Sequence, residues 1–152
     1  MSRFSLVNQV RNSTWFSVAA MLAVLLIAPG VWAGGAGLLK GGAQDLPPIT
    51  LSSGAPLADA PYDLESGKYY AIDIVCDGSA ELAISGPEFF RNIWINEVVI
   101  NDIEVRPLGL DSLEFDDEGT ATIKFVAIRP GSFVVRIPGT TGESQQAIFN
   151  IR

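Results

Sequence analysis

The sequence predicts an all-β sandwich of about seven to eight short strands, on three observations. Short runs rich in Val, Ile, Phe and Tyr recur along the chain, and several alternate apolar with polar residues, the period of a half-buried strand. Turn residues (Gly, Pro, Asp, Asn, Ser) punctuate these runs roughly every 8–12 residues. No segment after the N-terminal region carries the spacing of a long amphipathic helix.

The elements follow in chain order. Residues 34–47 (GGAGLLKGGAQDLP) are rich in Gly and Ala, lack periodicity and read as a flexible linker. Ile49–Ser52 is the first strand candidate, followed by the polar, Pro-containing break SGAPLADAP. Tyr62–Glu65 comes next, then a Ser66-Gly67 turn and the long candidate 68–76, whose alternation places Tyr70, Ile72, Ile74 and Cys76 on one face. Asp77-Gly78 turns the chain into Glu81–Ser85. Gly86-Pro87 breaks it, and Glu88–Asn92 fits one irregular or helical turn. Val98–Val105 alternates weakly around Asn101-Asp102. Ser112–Phe115 ends in the acidic turn Asp116-Asp117-Glu118-Gly119. Thr120–Arg129 alternates well, with Ala121, Ile123, Phe125 and Ala127 sharing a face. Pro130-Gly131 leads to Ser132–Ile137, where Phe133, Val135 and Ile137 face one way and Arg136 the other. After Pro138-Gly139-Thr140-Thr141-Gly142, Gln145–Ile151 is the last strand. The sandwich is therefore placed at residues 48–152.

The first 33 residues read as a secretory signal peptide. Arg3 and Arg11 form a positive region without acidic residues, the apolar run WFSVAAMLAVLLIA follows, and Val31-Trp32-Ala33 suits cleavage after Ala33. The run is shorter than the roughly 18–20 apolar residues of a spanning helix, and Pro29 interrupts it. An uncleaved N-terminal anchor is the competing reading. Cleavage would remove Arg3 and Arg11 and move the net charge from −7 to −9. The expected location is periplasmic or secreted, with no membrane insertion after leader cleavage. An acidic exported domain disfavours nucleic acid and anionic membranes as partners and suits an envelope protein with a basic surface.

Two longer segments and a third, shorter one resemble cupredoxins, the small copper-protein fold. Tyr62-Asp-Leu-Glu-Ser-Gly-Lys-Tyr-Tyr, followed by a strand and Asp77-Gly78, is similar to the entry into a long strand of bacterial cupredoxin-like domains. Phe125-Val-Ala-Ile-Arg-Pro-Gly-Ser-Phe-Val-Val-Arg-Ile-Pro-Gly is similar to the hairpin that carries the family's ligand cysteine, and Pro87-Glu88-Phe89-Phe90 resembles the segment after its first ligand histidine. The resemblance covers most of residues 48–152 and implies a Greek-key β-sandwich. It also implies a histidine near Leu82, a cysteine near Arg136, Ile137 and Pro138, a second histidine at Thr140 or Thr141, and a methionine within Gly142–Gln146. None of these stands in the chain, which has no histidine at all and whose only methionines are Met1 and Met21. A type 1 copper centre needs two imidazoles and a thiolate, so the expected cofactor is none.

Other chemistry is sparse. The lone cysteine, Cys76, has no partner for an internal disulfide. It reads as a buried strand residue, or as a copper ligand if the protein handles Cu(I). Asp116, Asp117 and Glu118, with Asp111 and Glu114 nearby, are candidate Ca²⁺ ligands, or a solvated turn guarding a strand edge. Phe89, Phe90, Arg91 and Trp94 form the most aromatic window and are candidates for partner contact, or a plug closing the sandwich. Arg136 is a further surface candidate. No nucleophile elbow or phosphate loop is present, so no enzyme is expected. The reading that follows is an exported cupredoxin-like accessory or assembly module acting through protein contacts. The alternatives are a copper-handling or electron-transfer protein using Cys76 and carboxylates, and a Ca²⁺- or small-ligand-binding sandwich.

Overall fold

The computed structural model describes residue 39 and residues 41–152. The expected signal peptide, and the linker residues 34–38 and 40, lie outside the described residues.

Eleven strands form two mixed sheets among the described residues. The first sheet is built on β4 (Tyr69–Cys76), which runs antiparallel to β9 (Gly119–Ala127). β9 pairs with β6 (Ile93–Ile100), and β6 with β7 (Ile103–Val105) at the edge. On the far side of β4, β1 (Gln44–Asp45) and β2 (Ile49–Leu51) pair one after the other, both parallel to it. The second sheet has the order β3 (Tyr62–Leu64), β11 (Gln146–Ile151), β10 (Gly131–Arg136), β5 (Leu82–Ser85), β8 (Ser112–Phe115). Its β3–β11 pair is parallel.

Strand alternation delivers the core. On β9, Ala121, Ile123, Phe125 and Ala127 are each at most 2% exposed, and on β4 the face of Tyr70, Ile72, Ile74 and Cys76 is buried, as the spacing predicts. β11 adds Ala147, Phe149 and Ile151 from the opposite sheet. The short helix α1 (Pro87–Phe90) closes this space. Its Phe89 ring stacks on Phe149 at 4.1 Å and meets Phe125 edge-on at 5.5 Å, so one side chain bridges both sheets. Tyr62 stacks on the same Phe149 at 4.6 Å. Each such aromatic pair adds roughly 0.5–1.5 kcal/mol beyond its burial.

The structure departs from expectation at two places. Ordered pairing begins at Gln44, inside the stretch read as linker, because Leu46 packs against the core and its N–H reaches Ala71 O at 2.9 Å. The weak candidate Val98–Val105 is really a hairpin whose first arm starts at Ile93. A bulge between Ile95 and Glu97 inserts Asn96 and shifts the register, which hides the alternation in the sequence. Asn101 and Asp102 then make the tight turn, both at positive φ (49° and 64°), the geometry a two-residue hairpin demands.

Candidate functional site

The connections at one end of the sandwich enclose a cleft of about 580 Å³. Its walls are residues 52–56 after β2, Leu82 at the start of β5, Ile137 and Thr140 after β10, and Ser144 and Gln145 from a 3₁₀ turn (Glu143–Gln145). These are the positions, or their immediate neighbours, at which the sequence resemblance implies metal ligands. Backbone bonds hold the walls: Ile137 N–H donates to Gln145 O (3.1 Å), and Leu57 N–H to Ser144 O (2.8 Å). Ser53 N–H donates to Ser79 Oγ at 2.9 Å. The Thr140 hydroxyl donates to Ile137 O at 2.6 Å, within its own loop.

Arg136 braces this loop instead of serving as a free surface cation. Its guanidinium donates to Thr140 O at 2.9 Å and to Gln146 Oε1 at 2.7 Å. The lining of the cleft is therefore neutral: hydroxyls, one carboxamide, and apolar Leu, Ile, Pro and Ala. It offers neither imidazole nor sulfur, and such a donor set does not suit a copper ion, which favours those ligands.

The remaining candidates lie apart. Phe89 and Phe90 are 2% and 5% exposed, so neither reaches a partner. In an extended segment neighbouring residues would face opposite ways, but the turn of α1 brings both rings inward at 5.6 Å. Arg91 is exposed and pairs loosely with Glu88 at 3.5 Å. Trp94 stays 46% exposed on the outer face of the first sheet, in register with fully buried Val126. Cys76 faces the core at 3% exposure, its Sγ 4.0 Å from Ala80 O.

The acidic residues regroup. Asp116 converges with Glu81 and Glu114, all exposed, their ligand oxygens within 4.8 Å of one another. The β5–β8 pairing explains this, since Leu82 lies opposite Phe115 and Ala83 opposite Glu114. Asp117 instead accepts the Glu118 N–H at 2.9 Å, so Asp116, Asp117 and Glu118 do not act as one set. Gly78 packs under this turn, where a Cβ would lie 3.1 Å from Glu118 N.

One polar constellation escaped the sequence reading. On the outer face of the first sheet, Glu97 is only 6% exposed. Lys124 Nζ lies 2.8 Å from one carboxylate oxygen and an Arg106 nitrogen 3.1 Å from the other. The Lys124 hydrogen bond, joined by the charges of Lys124 and Arg106, outweighs desolvation and holds the Glu97 carboxyl below its ordinary value.

No family model matches the sequence, and no curated protein matches it. Solved structures do resemble the fold. A multi-copper oxidase from Pediococcus acidilactici aligns over 74% of this chain and 27% of its own, at 10% identity and a TM-score of 0.54. One from Pseudomonas thermotolerans aligns over 72% and 30%, at 16% identity and 0.52. A multicopper oxidase from Campylobacter jejuni, described as a metallo-oxidase, aligns over 74% and 31%, at 6% identity and 0.50. The chain spans less than a third of each. At these identities the likeness is one of fold: the domain is a cupredoxin-like β-sandwich.

Proposed function

We propose that this chain is an exported cupredoxin-like protein without a type 1 copper site, acting in the envelope through protein contacts as an accessory or assembly module. One observation carries the reading: the neutral cleft formed by Leu82, Ile137, Thr140 and the 144–145 turn occupies the end of the sandwich where a copper centre is expected. A site without imidazole, thiolate or any ionisable side chain lacks the ligands copper favours and the side chains that usually carry general acid–base work. That also supports a non-enzymatic role. Cys76 facing the core speaks against the copper-handling alternative.

The test is to express the full chain with a C-terminal tag, fractionate the cells, determine the mature N-terminus, and measure bound metal and co-purifying proteins together. Export, absence of copper after loading, and a stoichiometric envelope partner are expected. Copper near one equivalent would overturn the reading. The convergence of Glu81, Glu114 and Asp116 favours a second reading, a Ca²⁺-binding sandwich. A calcium-dependent rise in melting temperature, abolished by Glu114→Gln, is its signature.

A further inference from the structure

Four of the large exposed apolar side chains fall within nine residues of the β6–β7 hairpin and its exit: Ile100 (39% exposed), Ile103 (65%), Val105 (46%) and Leu108 (111%). Ile103 and Val105 share the core-side face of β7 with Ile100 and Val98, their opposite residues on β6. Among the described residues β7 ends the sheet, and its outer edge has no strand beside it. The two-residue Asn101-Asp102 turn makes Ile100–Ile103 a hydrogen-bonded pair, so Val98–Val105 is the next. Glu104 lies between them, and its N–H and C=O point away from β6 to the free edge. Natural edges are guarded by charge or by shortness. Here the guards are Glu104 and Arg106 on the outer face, of opposite sign, with Asp102 in the turn.

We propose that β7 is a homodimerisation edge, pairing antiparallel with β7 of a second copy about a two-fold axis at Glu104. The occupant is argued from self-complementarity, which a two-fold interface requires. With Glu104 opposite its own copy, Ile103 faces Val105 of the second chain, and Arg106 beyond the end of β7 lies towards the second chain's acidic turn at Asp102. Both apolar residues therefore meet apolar residues, and the basic residue at each end of the pair lies towards an acidic turn. A register one residue away loses both matches. The like-charged Glu104 pair is offset from each side: within one chain Arg106 lies 3.2 Å from the Glu104 carboxylate and 3.1 Å from Glu97, and its side chain remains 61% exposed. This goes beyond the accessory role proposed above and does not depend on the copper question.

The contact is small, so a dissociation constant on the order of micromolar is expected. Light scattering of the full chain at roughly 100 µM should give twice the monomer mass. Glu104→Cys tests the axis directly. Its Cα lies about 5.5 Å from its own copy in such a pair, within disulfide reach, and Cys76 is buried and does not compete. Mild oxidation should cross-link Glu104→Cys and leave Glu143→Cys uncoupled. Glu104→Pro should give a monomer with a melting temperature within a few degrees of wild type, since proline removes only the edge-facing donor. A monomeric wild type at 100 µM overturns the proposal. So does a dimer that neither cross-links through Glu104→Cys nor dissociates with Glu104→Pro.

Discussion

Lys124 and Glu97 form a 2.8 Å ion pair on the outer face of the first sheet, with the carboxylate side chain only 7% exposed and the ammonium 34%. Arg106 completes the arrangement at 3.1 Å. Removing the lysine leaves a shielded carboxylate with one partner, so Lys124→Met should cost about 1–3 kcal/mol in urea unfolding. The pH dependence has a defined sign. Hydrogen bonding from Lys124 lowers the Glu97 carboxyl from its ordinary 4.5, so its contribution is complete above pH 4.5 and is lost as pH falls through the lowered value. The Lys124 ammonium is raised from 10.5 by its hydrogen bond to Glu97, so its contribution holds below 10.5 and disappears as pH rises through the raised value. The stability gap between wild type and Glu97→Gln should be flat between these limits and should narrow on the acid side. A gap constant down to pH 2 would contradict the pairing.

Phe89 behaves as a core keystone and not as a contact residue. It touches Phe149 and Phe125, one from each sheet. Phe89→Ala should therefore lower stability by about 3–5 kcal/mol. Trp94→Ala, at a half-exposed position, should change stability far less. Equal losses measured by denaturant titration would place Phe89 outside the core.

Gly86 precedes α1 where the chain runs against β10. A Cβ there would sit 2.7 Å from Val135 Cγ2 and 3.2 Å from Val134 O. Gly86→Ala should cost about 1–3 kcal/mol through overpacking. Gly54→Ala, with nothing within 4 Å, is the matched control and should stay within about 0.5 kcal/mol of wild type.

Tyr62 supplies an alkaline marker. Burial, with a smaller contribution from the charge of Asp59, pushes its phenol from 10.0 to about 12. The phenol donates to Pro48 O at 3.2 Å. Because the folded value is raised, its contribution is full below pH 10 and is lost as pH climbs towards 12. Absorbance titration of wild type against Tyr62→Phe should assign the late-titrating phenol to this residue. Assignment of that phenol to another tyrosine would show the site to be wet.

Cys76, enclosed in β4, should react with a thiol reagent on the order of a hundredfold more slowly in the native protein than in denaturant. Rapid labelling of the folded chain would place the sulfur at the surface and revive its candidacy as a copper ligand.

The sequence announced those parts of the fold that local chemistry controls. β4 and β9 alternate cleanly, and the Ser66-Gly67 turn lies where glycine takes a φ of +84°. β1 was hidden because two polar residues after a glycine tract carry no strand signature; only the docking of Leu46 and pairing to β4 make them one. β6 was hidden by its bulge at Asn96. Site positions depended on long-range closure in the same way. That Glu81 joins Glu114 and Asp116 follows from β5–β8 register, and that Arg136 braces the cleft follows from the path of residues 137–146. Neither can be read from spacing along the chain.

The place of β11 has a consequence for when this protein can fold. β11 sits inside its sheet, between β3 and β10, and aligns Phe149 with Tyr62 from far upstream. Until residues 146–151 are available, β3 has no neighbour and the stack of Tyr62, Phe149 and Phe89 lacks its middle ring. Contacts this distant in sequence form slowly, because the loop between them must close first. An emerging chain therefore cannot complete this sheet, or the aromatic stack inside it, until residues 146–151 have been made.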